Sequence, residues 1–490
     1  MGSVRKSLLA QLANSYLGLV LQVISAAVIA RLLTPTEIGI FSVAAVLMAM
    51  AGHFREFGLS EYIIQEKDLT DQKLRAAFAT NLIISWTTAA VLVACSWAVA
   101  DFYRHPGVGE IMRLQAFNFA IVPFGAVTNA YFQRTLNYRP MFISGLCANL
   151  VSFAVAIGCA FAGMSYMSLA WASLANVVVS IGVTMWFRPS TFPRWPSLRG
   201  IGQVASFSKH AMGIYFFGQL GKSAPEAVIG RVLDLASVAF FSRANGLSEI
   251  FNRTVLRAAL PICLPYFAQA ARLGQGTAQG FLKATALLTG VAWPFFAAIG
   301  IMAFSTIRLL YGPQWGAAAT LAQILSLAAL VELPYWLTKE VLIAEGQVKL
   351  ANRLQFLTQM LRVVGLALVL PFGLPGACWG LVCAAVVGAV VAQRDLKHTT
   401  QLSFFQLAYA CKASAWVTLT VAAPLALVAW VFPQGEQNFV AFLLICGPLA
   451  AALWLFGLRV TQHPFWQELI HLLNGVVSKI KRMRHPDSNS

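Results

Sequence analysis

The chain reads as an all-α polytopic membrane protein in which two parallel six-helix repeats surround a central cavity and a further helix pair follows. Three observations predict this. Hydrophobic residues fill 58% of the 490 positions and charged residues only 11%, against about 25% charge in an ordinary soluble domain. Apolar runs of about 20 residues, the length that crosses a hydrocarbon core, recur from end to end. And AAVIARLLTPTEIGIFS (Ala26–Ser42) returns two hundred positions later as EAVIGRVLDLASVAFFS (Glu226–Ser242), with Arg31, Phe41 and Ser42 matched by Arg231, Phe241 and Ser242 in the same register.

Taken in order, the expected spans are about 14 in number: 8–30, 38–64, 76–99, 111–134, 141–163, 166–187, 204–230, 236–267, 281–306, 316–340, 351–371, 375–393, 410–432 and 439–459. Arg5 and Lys6 ahead of the first run, with Ser25-Ala26-Ala27 behind it, imitate a secretory signal. The run is too long for a signal's apolar region, and its echo at 226 makes it a retained first helix. Pro371 to Gly376 is so short a break that spans 11 and 12 form a tight hairpin.

Lys and Arg set the orientation. About twenty of them fall on the side of the N-terminus, from Arg5 to Arg459 and the basic tail, while the other side has a handful such as Arg31, Arg104, Arg231 and Arg308; this bias places both termini in the cytoplasm. The longest inward connections, Phe187–Gln203 and Arg394–Lys412, divide the chain into a six-helix bundle at 1–199, a second at 200–394, a helix pair at 395–460 and a tail at 461–490. Six crossings return the chain to its starting side, so the two bundles are parallel repeats with a cavity expected at their interface. Phe102-Tyr103 with Pro106 and Gln115, echoed by Leu310-Tyr311 with Pro313 and Gln323, fits that register. In the tail, Trp466, Leu469, Leu472, Leu473, Val476 and Ile480 recur at helical spacing ahead of Lys479, Lys481, Arg482 and Arg484, as suits an amphipathic helix on an anionic membrane surface.

A charge at bilayer depth costs about 3 kcal/mol or more, so those retained face water or one another. Span 8 carries Arg243, Glu249, Arg253 and Arg257, which at 100° per residue fall within about a third of the helix circumference. Span 7 carries Lys222 and Glu226, span 2 carries His53, Arg55 and Glu56, and span 10 carries Glu332. Lys222–Glu226 and Glu249–Arg253 are i,i+4 pairs that can simply neutralise each other. Pairing leaves a surplus of Arg and Lys, and a surplus of cation in a cavity calls for anionic cargo; Arg suits phosphate because its planar fork binds two oxygens at once. Glu56, Glu226, Glu249 and Glu332 are the candidate proton or cation sites for coupling. Arg31 and Arg231 flank the outward mouth as gate residues, or else anchor helix ends at the interface.

Other chemistry is missing. The net charge of +17 is not interleaved with base-stacking or groove-reading elements, so no nucleic-acid partner is expected. The eight Cys show neither CxxC nor Cys/His spacing, which argues against a metal site or disulfide framework. No phosphate-binding GxxxxGK[ST] loop or HExxH is present. The expectation is a non-enzyme without cofactor, driven by an ion gradient, the membrane potential or the cargo gradient.

Three stretches carry a family likeness: ARLLTPTEIGIFSVA (Ala30–Ala44), FREFGLSEYIIQEKDLT (Phe54–Thr70) and YFQRTLNYRPMF (Tyr131–Phe142), with LYGPQW (Leu310–Trp315) as a fourth. They resemble the polysaccharide-transport branch of the multidrug/oligosaccharidyl-lipid/polysaccharide exporter superfamily, the Wzx-type flippases of exopolysaccharide, capsule and O-antigen (lipopolysaccharide) export. The resemblance covers roughly residues 5–460 and implies a flippase in a bacterial inner membrane. Its cargo would be an undecaprenyl-diphosphate-linked oligosaccharide, moved by alternating access, with membrane lipids, a polysaccharide polymerase and other export components as partners. By position the family's Arg after helix 1 is Arg31 and its polar patch on helix 2 is His53–Glu56. Extending substrate contact to Lys222, Arg243, Arg253 and Arg257 rests on the stripe alone. Two alternatives stand beside this reading. A drug or metabolite antiporter would more often present acidic residues to a cationic substrate. A membrane polymerase or ligase would carry its chemistry on a large extracytoplasmic loop, which this chain lacks.

Overall fold

The structure, a computed structural model, describes residues 18, 20–56, 59–189, 192, 195–202, 221 and 223–471. Among these it is helical without strands: α1 (Val20–Leu32), α2 (Pro35–Glu56), α3 (Leu59–Gln65), α4 (Asp71–Tyr103), α5 (Pro106–Ile121), α6 (Pro123–Arg134), α7 (Arg139–Phe161), α8 (Met167–Trp186), α9 (223–232), α10 (Leu235–Phe251), α11 (Arg257–Arg272), α12 (Ala278–Ile301), α13 (Ala303–Tyr311), α14 (Gly316–Glu332), α15 (Thr338–Ala344), α16 (Val348–Val369), α17 (Gly373–Thr400), α18 (Phe404–Val431) and α19 (Phe439–Val460). Nine described segments are long and apolar enough to cross a membrane, or ten when α5 and α6, bent by 52°, count as one span. One of the nine, Val348–Thr400, is the α16–α17 hairpin. Much of the first and seventh expected spans, 8–30 and 204–230, lies outside the described residues.

One expectation is corrected. The stretch Arg394–Lys412 is not a long connection: α17 runs on to Thr400 and α18 starts at Phe404, leaving Gln401–Ser403 as the turn. Polar residues there extend the helices beyond the hydrocarbon layer rather than ending them. Ser403 then restarts the chain with a capping box, its hydroxyl accepting from the Gln406 amide (3.3 Å) while the Gln406 side chain accepts from the Ser403 amide (2.9 Å).

The chain forms two compact units. The first comprises residues 1–242 with 311–314, the second 243–310 with 315–490. In the first unit the repeated segment folds twice in the same way. Leu33 and Leu233 each donate to the carbonyl four residues back, Ile29 and Ile229, at 2.9 Å. Each copy then restarts with an N-cap at the matched position. Thr34 builds a capping box with Glu37, whose carboxylate accepts from the Thr34 amide (2.7 Å), and Asp234 accepts from the Ser237 amide (2.6 Å). Glu37 also accepts from the Ser165 hydroxyl, tying this turn to the one before α8. Gly39 is required where α2 crosses the start of α10, since a β-carbon there would collide with the Leu235 carbonyl.

In the second unit α16 and α17 approach backbone to backbone. Gly376, Gly380, Ala384 and Gly388 form a small-residue stripe on α17, and a β-carbon at Gly380 would strike the Gly365 carbonyl. The last helix pair is bonded onto α12 and α13. Gln434 accepts from the Ser305 amide and hydroxyl (3.1 and 2.9 Å), and Trp454 donates to the Gly290 carbonyl (2.9 Å). His463, fully buried just past α19, accepts from the Phe465 amide at Nδ1, so its Nε2 carries the proton and donates to Ser414 Oγ (3.0 Å). Ser414 and Thr289 share a hydrogen bond across α18 and α12 (2.9 Å).

Two outcomes follow from these contacts. Gly380→Ala should lower stability by about 1–3 kcal/mol through overpacking, whereas Gly388→Ala, which meets Thr358 at an ordinary 3.6 Å, should be near neutral; thermal unfolding in detergent measures both. Burial holds the His463 imidazole down from 6.5 to about 4, so the unfolded chain takes up the proton first as pH falls. Stability should therefore be full above about pH 6.5 and decline toward pH 4, by about 2 kcal/mol at pH 5. His463→Asn should flatten that decline in a pH series of unfolding midpoints.

Candidate functional site

The charges predicted from the sequence fall on both units. In the first, His53, Arg55 and Glu56 form the last turn of α2, but their side chains lie outside the described residues, as does Lys222. Glu226 sits part-buried on α9. Arg231 stacks its guanidinium 4.9 Å from the centre of the Phe102 ring, and the neighbouring Tyr103 hydroxyl donates to the Ala227 carbonyl (3.2 Å). The two members of the weaker echo's first copy therefore hold α9 in place. Arg31 is exposed at the end of α1, and there Gln314 donates to the carbonyls of Ala30 and Leu33 (2.6 and 2.9 Å), satisfying acceptors that a helix end leaves open. Gln314 belongs to LYGPQW, a motif that the sequence marked without giving it a task.

In the second unit Arg243 lies over the Trp315 ring, 5.5 Å from its centre, and Trp315 is fully buried. The expected span 8 is not a continuous α-helix. Residues Asn252–Leu256 form a π-helical turn between α10 and α11, so the even 100° progression that placed Arg243, Arg253 and Arg257 on one stripe is broken. Arg253 stands in this turn and pairs with Glu249 at 2.9 Å, and Arg257 opens α11 with its side chain outside the described residues. Phe251, just before the turn, and Leu256, its last residue, share a buried cluster with Ala292, Phe296 and Leu333. This brings the π-turn to the end of α14, where Glu332 faces Arg362 of α16 at 3.8 Å.

Arg362 is a residue that the sequence reading missed. The signal was a charge well inside an expected span, at Arg362. Arg353 and Asp395, joined at 2.7 Å between α16 and α17, were also missed. The side chains of Glu249, Arg253, Glu332 and Arg362 are 36, 41, 43 and 35% exposed. At membrane depth such exposure to lipid would cost about 3 kcal/mol per charge, so charges of this kind call for water beside them there. Arg253 and Arg362 are matched one for one by Glu249 and Glu332, while Arg243 is engaged over the Trp315 ring. Among the described residues no group of His, Cys, Asp and Glu could hold a metal ion.

The fold is shared with a solved membrane protein. The inward closed structure of the lipid II flippase MurJ superposes with a TM-score of 0.73 at 10% identity, covering 95% of this chain and 99% of MurJ. A family described as polysaccharide biosynthesis protein matches residues 28–320, more than half of the chain, which therefore belongs to that family. Its relatives include the teichuronic acid biosynthesis protein TuaB of Bacillus subtilis, 23% identical over 68% of this chain and 69% of TuaB. The succinoglycan biosynthesis transport protein ExoT of Rhizobium meliloti is 23% identical over 63% of this chain and 62% of ExoT. The likeness drawn from Ala30–Ala44, Phe54–Thr70 and Tyr131–Phe142 thus led to the right family.

The two ion pairs should differ in strength. Arg353–Asp395 has hydrogen-bond geometry and a buried carboxylate, while Arg362–Glu332 is separated beyond hydrogen-bond reach. Double-mutant cycles to Ala, read as unfolding midpoints, should give a coupling of about 1 kcal/mol or more for the first and under about 0.5 kcal/mol for the second.

Proposed function

We propose that the chain is a flippase that moves undecaprenyl-diphosphate-linked oligosaccharide repeat units across the bacterial inner membrane for exopolysaccharide, capsule or lipopolysaccharide synthesis. The observation that carries this reading is the match of residues 28–320 to a polysaccharide biosynthesis family, and the part-exposed ionic residues Glu249, Arg253, Glu332 and Arg362 of the second unit suit a polar cargo. A diphosphate is the part of such a cargo that guanidinium groups recognise, through paired charge-assisted hydrogen bonds. Family membership supports a transporter rather than an enzyme.

In this proposal the chain crosses the membrane 14 times with both termini cytoplasmic, as parallel repeats at 1–199 and 200–394 followed by the pair at 395–460 and the basic tail. Arg243, Arg253, Arg257 and Lys222 contact the diphosphate, with His53 and Arg55 contributing from α2. Glu56, Glu226, Glu249 and Glu332 are the coupling sites, and Arg31 and Arg231 the gate. The pairing of Glu249 with Arg253 supports a specific version: protonating or ion-loading Glu249 frees Arg253 for phosphate, and arrival of phosphate frees Glu249. The antiporter alternative would need an acidic surplus, and the described charges show none.

Deletion of the gene should abolish surface polysaccharide and accumulate lipid-linked repeat units on the inner leaflet, both restored by the wild-type chain. An Arg253→Ala/Lys222→Ala variant that inserts normally should restore less than about a tenth of export; full restoration would remove these residues from the substrate site. Glu249→Gln should alter the dependence of transport on the proton or sodium gradient, and an unchanged dependence would take Glu249 out of coupling.

A further inference from the structure

The inner half of α17 presents one face that no function has yet used. Trp379, Cys383, Val386, Val387 and Val390 recur on it at helical spacing and are all exposed. The same face continues into Arg394, Lys397, His398 and Gln401, which with Val390 and Gln393 line an open cleft of about 570 Å³. No carboxylate lines this cleft. The acid within the segment, Asp395, is turned into the protein and taken up by Arg353 at 2.7 Å. Among the described residues Arg394 and Lys397 enter no ion pair. The wall of the cleft is fixed, because Gln393 donates to the Leu402 carbonyl (3.0 Å) and the Ser403 capping box holds the turn beyond it.

From Cys383 to Arg394 the helix rises about 16 Å, close to half of a hydrocarbon core of about 30 Å. An acyl chain laid along this face would therefore bring its phosphate to the level of Arg394 and Lys397. Arg supplies a planar fork for two phosphate oxygens and Lys a compact charge. Gln401 and His398 can add further hydrogen bonds.

We propose that this end of α17 is a binding site for the phosphate headgroup of an anionic phospholipid, whose acyl chain lies along Val390 to Cys383. It is separate from the residues assigned to cargo and does not depend on the cargo's identity. The test uses the full chain purified in neutral detergent and titrated with phosphatidylglycerol or with phosphatidylcholine of the same acyl chains, with retained lipid counted by native mass spectrometry. Phosphatidylglycerol should be retained in preference, and Arg394→Gln/Lys397→Gln should weaken its binding about tenfold or more. Arg272→Gln/Lys283→Gln, which removes two exposed charges elsewhere, should change it less than about twofold. Unchanged binding in the first variant, or an equal loss in the second, would overturn the site. Millimolar inorganic phosphate should not displace the lipid; displacement would mean a bare anion site and overturn the lipid assignment.

Discussion

An ionised side chain inside an apolar span must be either paired or wet, and most of what distinguishes this chain follows from how it meets that constraint. Between Arg353 and the buried Asp395 the charges join α16 to α17, with the carboxylate buried and the Arg half exposed. Around Glu249, Arg253, Glu332 and Arg362, paired at 2.9 and 3.8 Å, the side chains keep about a third or more of their surface exposed. Lipid cannot provide that exposure at acceptable cost. Such side chains need water beside them at membrane depth.

The surrounding helices are held by devices that add no charge. Small residues bring α16 and α17 to backbone contact, a form of association available where lipid removes the hydrophobic drive between helices. Side-chain amides and hydroxyls do the rest. Gln434 and Ser414 fasten the last helix pair to α12 and α13, and Gln314 closes the end of α1. The π-helical turn at Asn252–Leu256 belongs to the other category. It loosens one element at the place where the ionic residues gather, and π-turns of this kind are frequent at functional sites.

The fold was legible because bilayer thickness forces a run length, and the repeat was legible because its turn must restart a helix. The capping box Thr34–Glu37 can be read directly from TPTE, and the hairpin from PFGLPG. The break in span 8 was not legible: nothing in FNRTVL departs from helical composition, and π-geometry comes from packing around Leu333 rather than from propensity. Arg362 and Asp395 were overlooked for a related reason. A charge in or beside a span says that it needs a partner or water, but not that the partner is Glu332 or Arg353. The end of α17 misled because DLKHTT is polar and rich in the weak helix formers Asp, His and Thr, yet the helix runs on through it to Thr400.

The repeat also separates architecture from chemistry. Both copies place an N-cap after the matched Leu, yet one uses Thr34 with Glu37 and the other Asp234 alone, and where the first copy has Glu37 the second has Ser237. What the duplication preserved is the requirement that a helix restart at that point, which any good capping residue meets. Arg31 and Arg231 were kept as well, but the second lies on Phe102 while the first stands exposed beside the carbonyls that Gln314 occupies. A residue matched by repeat and unmatched in contact serves the helix end before it serves the cargo. The Arg residues of the second unit have no such counterparts: Arg243, Arg253 and Arg257 fall opposite Val43, His53 and Phe57, so the repeat does not account for them.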